Sequence, residues 1–160
     1  MRGAIAPRFR FPRHNFPVNS PLIPITLRVR TYELDSFGHV NNAVYLNYLE
    51  EARAEFLRQI GLSFNDFAAA GVQLVIVEAR VRYVSPARYG DLIAVQGRFA
   101  DVRAVSLVID YTITEGATGR LIATAQTKGA FVAADSGRPT RAPAQFRDAF
   151  LAAQGDGPET

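Results

Sequence analysis

The longest helical period in the chain runs over residues 43–60, where Tyr45, Leu49, Ala52, Phe56 and Ile60 return every three or four positions. Asn47, Glu50, Glu51, Glu55 and Arg58 hold other positions, which predicts one amphipathic helix of about five turns. Gly61 stands where a left-handed residue closes a helix, and Leu57 and Leu62 flank it for the apolar contact of a Schellman stop. From Gln73 to about residue 133 the period is two instead. Val75, Val77, Ala79, Val81 and Tyr83 are read as one face of a strand, with Glu78, Arg80 and Arg82 on the other, until Pro86 and Gly90 break the run. Ile93, Val95, Gly97 and Phe99 mark a further strand, Val105, Leu107, Ile109, Tyr111 and Ile113 another, and Leu121, Ala123, Ala125, Thr127, Gly129 and Phe131 the last. The short links 100–104 and 115–120 favour antiparallel hairpins. Ile25, Leu27 and Val29 alternate with Thr26, Arg28 and Arg30 in an earlier strand expected to end near Glu33. The sheet needs a cover for its apolar face, and only the helix 43–60 is long enough to provide it. The expected fold is therefore α+β, a five-stranded antiparallel sheet wrapped around a long central helix.

At 160 residues the chain suffices for one domain with a sizeable core and is too short for two ordinary ones. That domain is expected over 23–153, behind a basic, proline-rich extension over 1–22 and ahead of a frayed tail over 154–160. Ser63 and Asp66 start a short second helix ending by Gly71, and Phe146, Ala149 and Phe150 predict a last helix on the rim. The net charge of +3 belongs to the extension, which carries Arg2, Arg8, Arg10 and Arg13 and no acid. Without these four the chain has 14 basic and 15 acidic residues, and four prolines in the extension break any regular element there. The Arg8-Phe9-Arg10-Phe11 run has the composition of a base-stacking segment, yet disorder is the preferred reading and no nucleic-acid partner is expected. No window approaches the roughly 18 apolar residues of a membrane span, and the first residues lack the apolar stretch of a secretory signal. No membrane partner and a cytoplasmic location are expected.

The absence of cysteine removes disulfides, thiolate nucleophiles and Cys-ligated zinc. There is no G-x-G-x-x-G, no G-x-x-x-x-G-K-[ST] and no G-x-S-x-G. His14 and His39 are the only histidines; Asp35 and His39 supply at most two metal ligands, so no metal is expected. What remains is the junction Asp35-Ser36-Phe37-Gly38-His39-Val40-Asn41-Asn42-Ala43-Val44-Tyr45, between a strand and the long helix. Amides at a helix start point outward unpaired, and they favour an oxygen that gains negative charge. An acid beside them points to acyl chemistry. Asp35 has a competing reading as an Asx-turn, and Asn41 or Asn42 is expected to be the helix N-cap. Gly38 answers to a turn conformation or to close approach by a ligand. Tyr45 and Tyr48 read first as core or subunit-seam residues, and Glu50 with Arg53 as a helix surface pair.

Asp35-x-x-Gly38-His39-Val40-Asn41-Asn42-x-x-Tyr45-x-x-Tyr48-x-Glu50-x-Ala52-Arg53 resembles the signature of hotdog-fold thioesterases, in the branch of 4-hydroxybenzoyl-CoA thioesterase and plant acyl-carrier-protein thioesterases. Val81-x-Tyr83-x-x-Pro86-Ala87-x-x-Gly90-Asp91 is similar to the same family's exit from its second strand, and the likeness spans roughly residues 24–150. The resemblance implies that Asp35 attacks the thioester carbonyl or activates a water to do so. It implies the Asn42 N–H as oxyanion donor and His39 as an orienting or proton-handling partner. Gly38, Asn41 and Tyr45 would border the substrate, and Arg82 and Arg88 would meet coenzyme A phosphates. The plant branch has Asn where this chain has Phe37, and the benzoyl-CoA branch has Tyr where it has Asn42. Some hotdog enzymes take their acid from the central helix, which makes Glu50 and Glu51 the reserve candidates. The implied substrate is an acyl-CoA or acyl-ACP thioester, with no cofactor beyond the coenzyme A of the substrate itself. The implied assembly is a homodimer or homotetramer with the acyl site between subunits. The alternative is a non-catalytic acyl-CoA-binding or interaction module on the same fold.

Overall fold

The computed structural model describes residues 22–153, so the tail 154–160 and all of the extension before Leu22 lie outside the described residues. The chain runs β1 (Ile25–Arg28), α1 (Val44–Gln59), α2 (Phe64–Ala69), β2 (Val72–Tyr83), β3 (Leu92–Val102), β4 (Ser106–Glu115), β5 (Leu121–Ala133) and α3 (Ala144–Ala152), with a 3-10 turn at Thr31–Glu33. The five strands form one antiparallel sheet in the order β1-β3-β4-β5-β2. β3, β4 and β5 are successive hairpins, as their short links require, while β1 and β2 occupy the two edges.

The stripes read from β3, β4 and β5 form the concave, buried face. Ile93, Val95 and Phe99 meet Leu107, Ile109, Tyr111 and Ile113, then Ala123, Ala125 and Phe131, all buried. Helix α1 lies over β3 and β1 and buries Tyr45, Tyr48, Leu49, Ala52, Phe56 and Leu57. Full burial of a side chain such as Phe56 contributes about 1.5–3 kcal/mol. Gly97 makes that approach possible: it pairs with Tyr111 across the sheet, Phe56 stacks on Tyr111 at 6.3 Å, and a Cβ at 97 would fall inside the Phe56 ring. The helix ends as its sequence requires. Gly61 adopts φ +78°, its amide bonds Arg58 at 3.0 Å, and the Leu62 amide bonds Leu57 at 2.9 Å, which is the paired Schellman pattern. Ser63 and Asp66 form a reciprocal capping box that starts α2. Phe67 of α2 and Phe146 and Phe150 of α3 close one end of the sheet, with rings 4.7 Å apart for Phe67 and Phe146 and 5.1 Å for Phe150 and Phe99.

Two expectations are corrected. β1 stops at Arg28 rather than near Glu33, because Val29 exchanges backbone hydrogen bonds with Gly90 and Asp91 and the chain then turns at Thr31–Glu33. In β2 a bulge at Val77 shifts the pairing from Ile76↔Gly129 to Glu78↔Lys128. One inserted residue reverses the alternation, so Leu74 and Ile76 share the concave face with Ala79, Val81 and Tyr83, and Val75 faces the other way.

If Gly97 sets the distance between helix and sheet, Gly97→Val overpacks the core. It is expected to lower unfolding free energy by about 1–3 kcal/mol in a urea titration, whereas an unchanged midpoint would contradict this packing.

Candidate active site

The site is built on a turn that the alternation pattern conceals. Glu33 is only 4% exposed, yet charged, and its two carboxylate oxygens accept four hydrogen bonds. The Arg30 amide donates at 2.8 Å, Arg30 Nε and Nη2 at 2.9 and 2.6 Å, and the Tyr48 hydroxyl at 2.7 Å. Burial would raise the Glu33 pKa, but the donors from Arg30 and Tyr48 together hold it below the usual carboxylate value. Burial, reinforced by the bond to Glu33, keeps the Tyr48 hydroxyl protonated well above the ordinary phenol range. No motif singles out Glu33. Its only local signal is the i, i+3 spacing from Arg30, since Tyr48 lies 15 residues away.

Directly after Glu33, residues 34–40 form a narrow loop closed by a Leu34↔Val40 bridge. The Asp35 amide donates to His39 O at 2.8 Å and Gly38 N to Asp35 O at 3.1 Å, a turn that needs the φ of +73° found at Gly38. Asp35 Oδ1 accepts from the amides of Phe37 at 2.8 Å and His39 at 3.2 Å. The Asx-turn reading therefore describes one oxygen only. Asp35 Oδ2 accepts no hydrogen bond among the described residues. Phe37 points its ring to solvent, 80% exposed. His39 bridges to Arg88 through main chain, and Val40 N donates to Ala87 O at 2.9 Å, so the 84–91 loop braces this one.

The approach to α1 differs from the expected N-cap. Asn41 Oδ1 accepts from Ala43 N at 2.9 Å and Asn41 O from Val44 N at 2.9 Å, forming a turn ahead of the helix. Ala43 is the residue at the cap position, already helical, with no side-chain cap. Asn41 N donates to Glu33 O at 2.8 Å, and Asn42 O accepts from the Tyr83 hydroxyl at 2.9 Å. Each of these groups is satisfied. The Asn42 N–H has no acceptor among the described residues.

Tyr45 is buried, edge-on to Tyr48 at 5.9 Å and to Tyr83 at 5.3 Å. Arg82 is exposed on β2 opposite Thr124, and Arg88 is exposed with its amide bonded to Asp91 Oδ2 at 3.0 Å. Glu50 is exposed and paired with Arg53, but Arg53 is itself 4% exposed and reaches the buried Tyr111–Thr127 pair, so the pair is more than a surface one. Glu51 lines a separate groove between α1 and β1 with Ile25, Leu27, Glu55 and Gln59.

Residues 29–150 match the family described as the Thioesterase-like superfamily, a span that opens directly after β1 and closes in α3. The chain belongs to this superfamily. It is 39% identical over 128 residues to the chloroplastic acyl-acyl carrier protein thioesterase ATL3 of Arabidopsis thaliana, covering 79% of this chain and 66% of that protein. It thus spans just under two thirds of the plant relative. It is also 34% identical over 99 residues to the long-chain acyl-CoA thioesterase FadM of Escherichia coli strain K12, covering 62% of this chain and 74% of FadM. Among solved structures, a 1,4-dihydroxy-2-naphthoyl-CoA thioesterase from Synechocystis superposes with a TM-score of 0.74 at 24% identity, covering 80% of this chain and 94% of that one, a likeness of fold. This superfamily member therefore has the hotdog architecture, a curled sheet around one helix.

Because the folded pKa of Glu33 is depressed, its contribution to stability is complete above the ordinary carboxylate pKa and disappears as pH falls through the depressed value. Glu33→Gln is expected to cost about 1–3 kcal/mol at neutral pH and to flatten the acid limb of the stability profile, measured by denaturant titration across pH 2–7. An unchanged acid limb would remove Glu33 from the account.

Proposed function

We propose that this thioesterase-like protein hydrolyses an acyl-CoA or acyl-ACP thioester to a free acid and a thiol at the Asp35–Asn42 junction. The observation that carries the reading is the pair of groups that have no partner among the described residues, where their neighbours are bonded: Asp35 Oδ2 and the Asn42 N–H. One is a base or nucleophile and the other a donor. Asp35 takes a proton from water as the water oxygen bonds the carbonyl carbon, or its own Oδ2 forms that bond and water later hydrolyses the anhydride. In either route the carbonyl oxygen becomes an oxyanion, which the Asn42 N–H receives. Its collapse breaks the C–S bond and expels a thiolate, which takes the proton held by Asp35 in the first route or one from water in the second.

The chemistry is within reach of so small a site. A thioester carbonyl has little resonance stabilisation, and a thiolate needs less protonation to leave than an amine does. One oxyanion donor is worth about 3 kcal/mol in other acyl-transfer sites, and a positioned base about 10²–10⁴-fold. His39, tied through its amide to Asp35 Oδ1, orients the same loop. Gly38 and Asn41 border the reacting carbonyl, Tyr45 supports that border as a buried ring, and exposed Arg82 and Arg88 meet the phosphates of coenzyme A or of a carrier's prosthetic arm. No metal or redox cofactor enters this reaction. The names of the Arabidopsis and E. coli relatives support the substrate class.

The proposed assembly is a homodimer or homotetramer. β2 is a 12-residue edge strand, and Ile76, Val77, Tyr83 and Val84 on or beside it are exposed. A second copy would pair that edge and cover those side chains. Val77→Lys is expected to reduce the mass seen by light scattering toward that of one chain, and an unchanged mass would contradict assembly through β2.

A thiol-release screen over short, long and aromatic acyl-CoAs and acyl-ACPs tests the activity, with Asp35→Asn in parallel. Wild type should release thiol from at least one substrate, and Asp35→Asn should lose about 10²–10⁴-fold in kcat on it. Full activity in the variant would sink the role of Asp35, and saturable binding without thiol release would sink the activity.

A further inference from the structure

Glu33 is a buried charge that the reaction above does not use. An apolar side chain would fill the same space without removing a carboxylate from water, so its presence calls for something only a charged acceptor supplies. What it supplies is direction. Its four hydrogen bonds come from two separate parts of the chain, Arg30 before the turn and Tyr48 in the second turn of α1.

The contacts then close a circuit around Asn42. Glu33 O holds the Asn41 amide at 2.8 Å, and its carboxylate holds the Tyr48 hydroxyl at 2.7 Å. Tyr48 packs on Tyr45, Tyr45 on Tyr83, and the Tyr83 hydroxyl donates to Asn42 O at 2.9 Å. The peptide groups on both sides of the 41–42 peptide are therefore fixed, and Asn41 O is held by Val44 N. Within that frame the Asn42 N–H is the group left to face a ligand. Asp35, two residues beyond Glu33, leaves the same turn.

We infer that Glu33 is a positioning residue for thioester hydrolysis, setting the Asn42 amide and the Asp35 turn in one geometry through Tyr48 and its own main chain. The inference rests on the proposed roles of Asp35 and Asn42. Glu33 touches no substrate atom; its removal loosens the frame instead of deleting a reacting group.

The test uses the full chain and the acyl-CoA that wild type cleaves fastest in the thiol-release screen. Tyr48→Phe removes one hydroxyl and keeps the ring, Glu33→Gln keeps the shape and removes the charge, and the double variant combines them. Rates are normalised to folded protein. Each single variant is expected to lose about 10–100-fold in kcat, with KM within about twofold, because small misplacements of reacting groups act on the transition state. The double variant should fall no further than the worse single one, since both changes disturb the same Glu33–Tyr48 contact. If Glu33→Gln does not fold, Tyr48→Phe decides alone. A folded Tyr48→Phe protein with wild-type kcat, a change confined to KM, or losses that multiply in the double variant would overturn the inference. Asp35→Asn, measured alongside, separates the two levels: its retained activity defeats the site assignment, whereas its loss beside an intact Tyr48→Phe defeats only the role of Glu33.

Discussion

A carboxylate with almost no exposure to water, saturated by four donors, anchors the junction on which the candidate site stands. A buried charge with an unmet oxygen is costly, so the Arg30 turn and the Tyr48 hydroxyl must be in place together. That requirement ties the end of β1 to α1 across 15 residues of sequence. The loop between them is then short of freedom. Its glycine takes the left-handed conformation, its aspartate spends one oxygen on the turn, and its main chain leaves the Asn42 amide unclaimed.

The sheet imposes the second constraint. A single helix covers the β1 and β3 side of the concave face, with Gly97 allowing Phe56 to approach. β2 is left at the edge with apolar side chains in water, and its bulge turns Ile76 toward the concave side. Such an edge favours pairing with another strand. The tyrosine that supports Asn42 is the last residue of this same strand, so an assembly through β2 would act directly on the site's frame.

Periodicity made most of the architecture legible. The helix, its Gly61 stop, the α2 capping box and the three hairpin strands all arise from local patterns, and local patterns are what a sequence displays. Most of what the pattern conceals is non-local. Val29 and Arg30 continue the alternation of β1 toward Glu33, and only pairing with the 90–91 loop ends the strand. The bulge at Val77 leaves no mark on a run in which every residue from 74 to 77 is apolar. Asn41 has a capping composition, but its side chain serves a turn two residues before the helix. Arg53 reads as one half of a surface pair because the buried Tyr111 it reaches is 58 residues away. Asp35, His39, Asn41 and Asn42 are legible because they lie close together in sequence, and Glu33 is not, because its partners come from two elements.

Amide hydrogen exchange, resolved by residue and run with and without an unhydrolysable ketone analogue of an acyl-CoA, reads the Asn41 and Asn42 amides separately. The Asn41 amide, held by Glu33 O, should be protected in both states, whereas the Asn42 amide should exchange freely alone and slow when the analogue binds. Bound analogue with no change at Asn42, or an Asn42 amide already protected in the free protein, would contradict the oxyanion role of that amide.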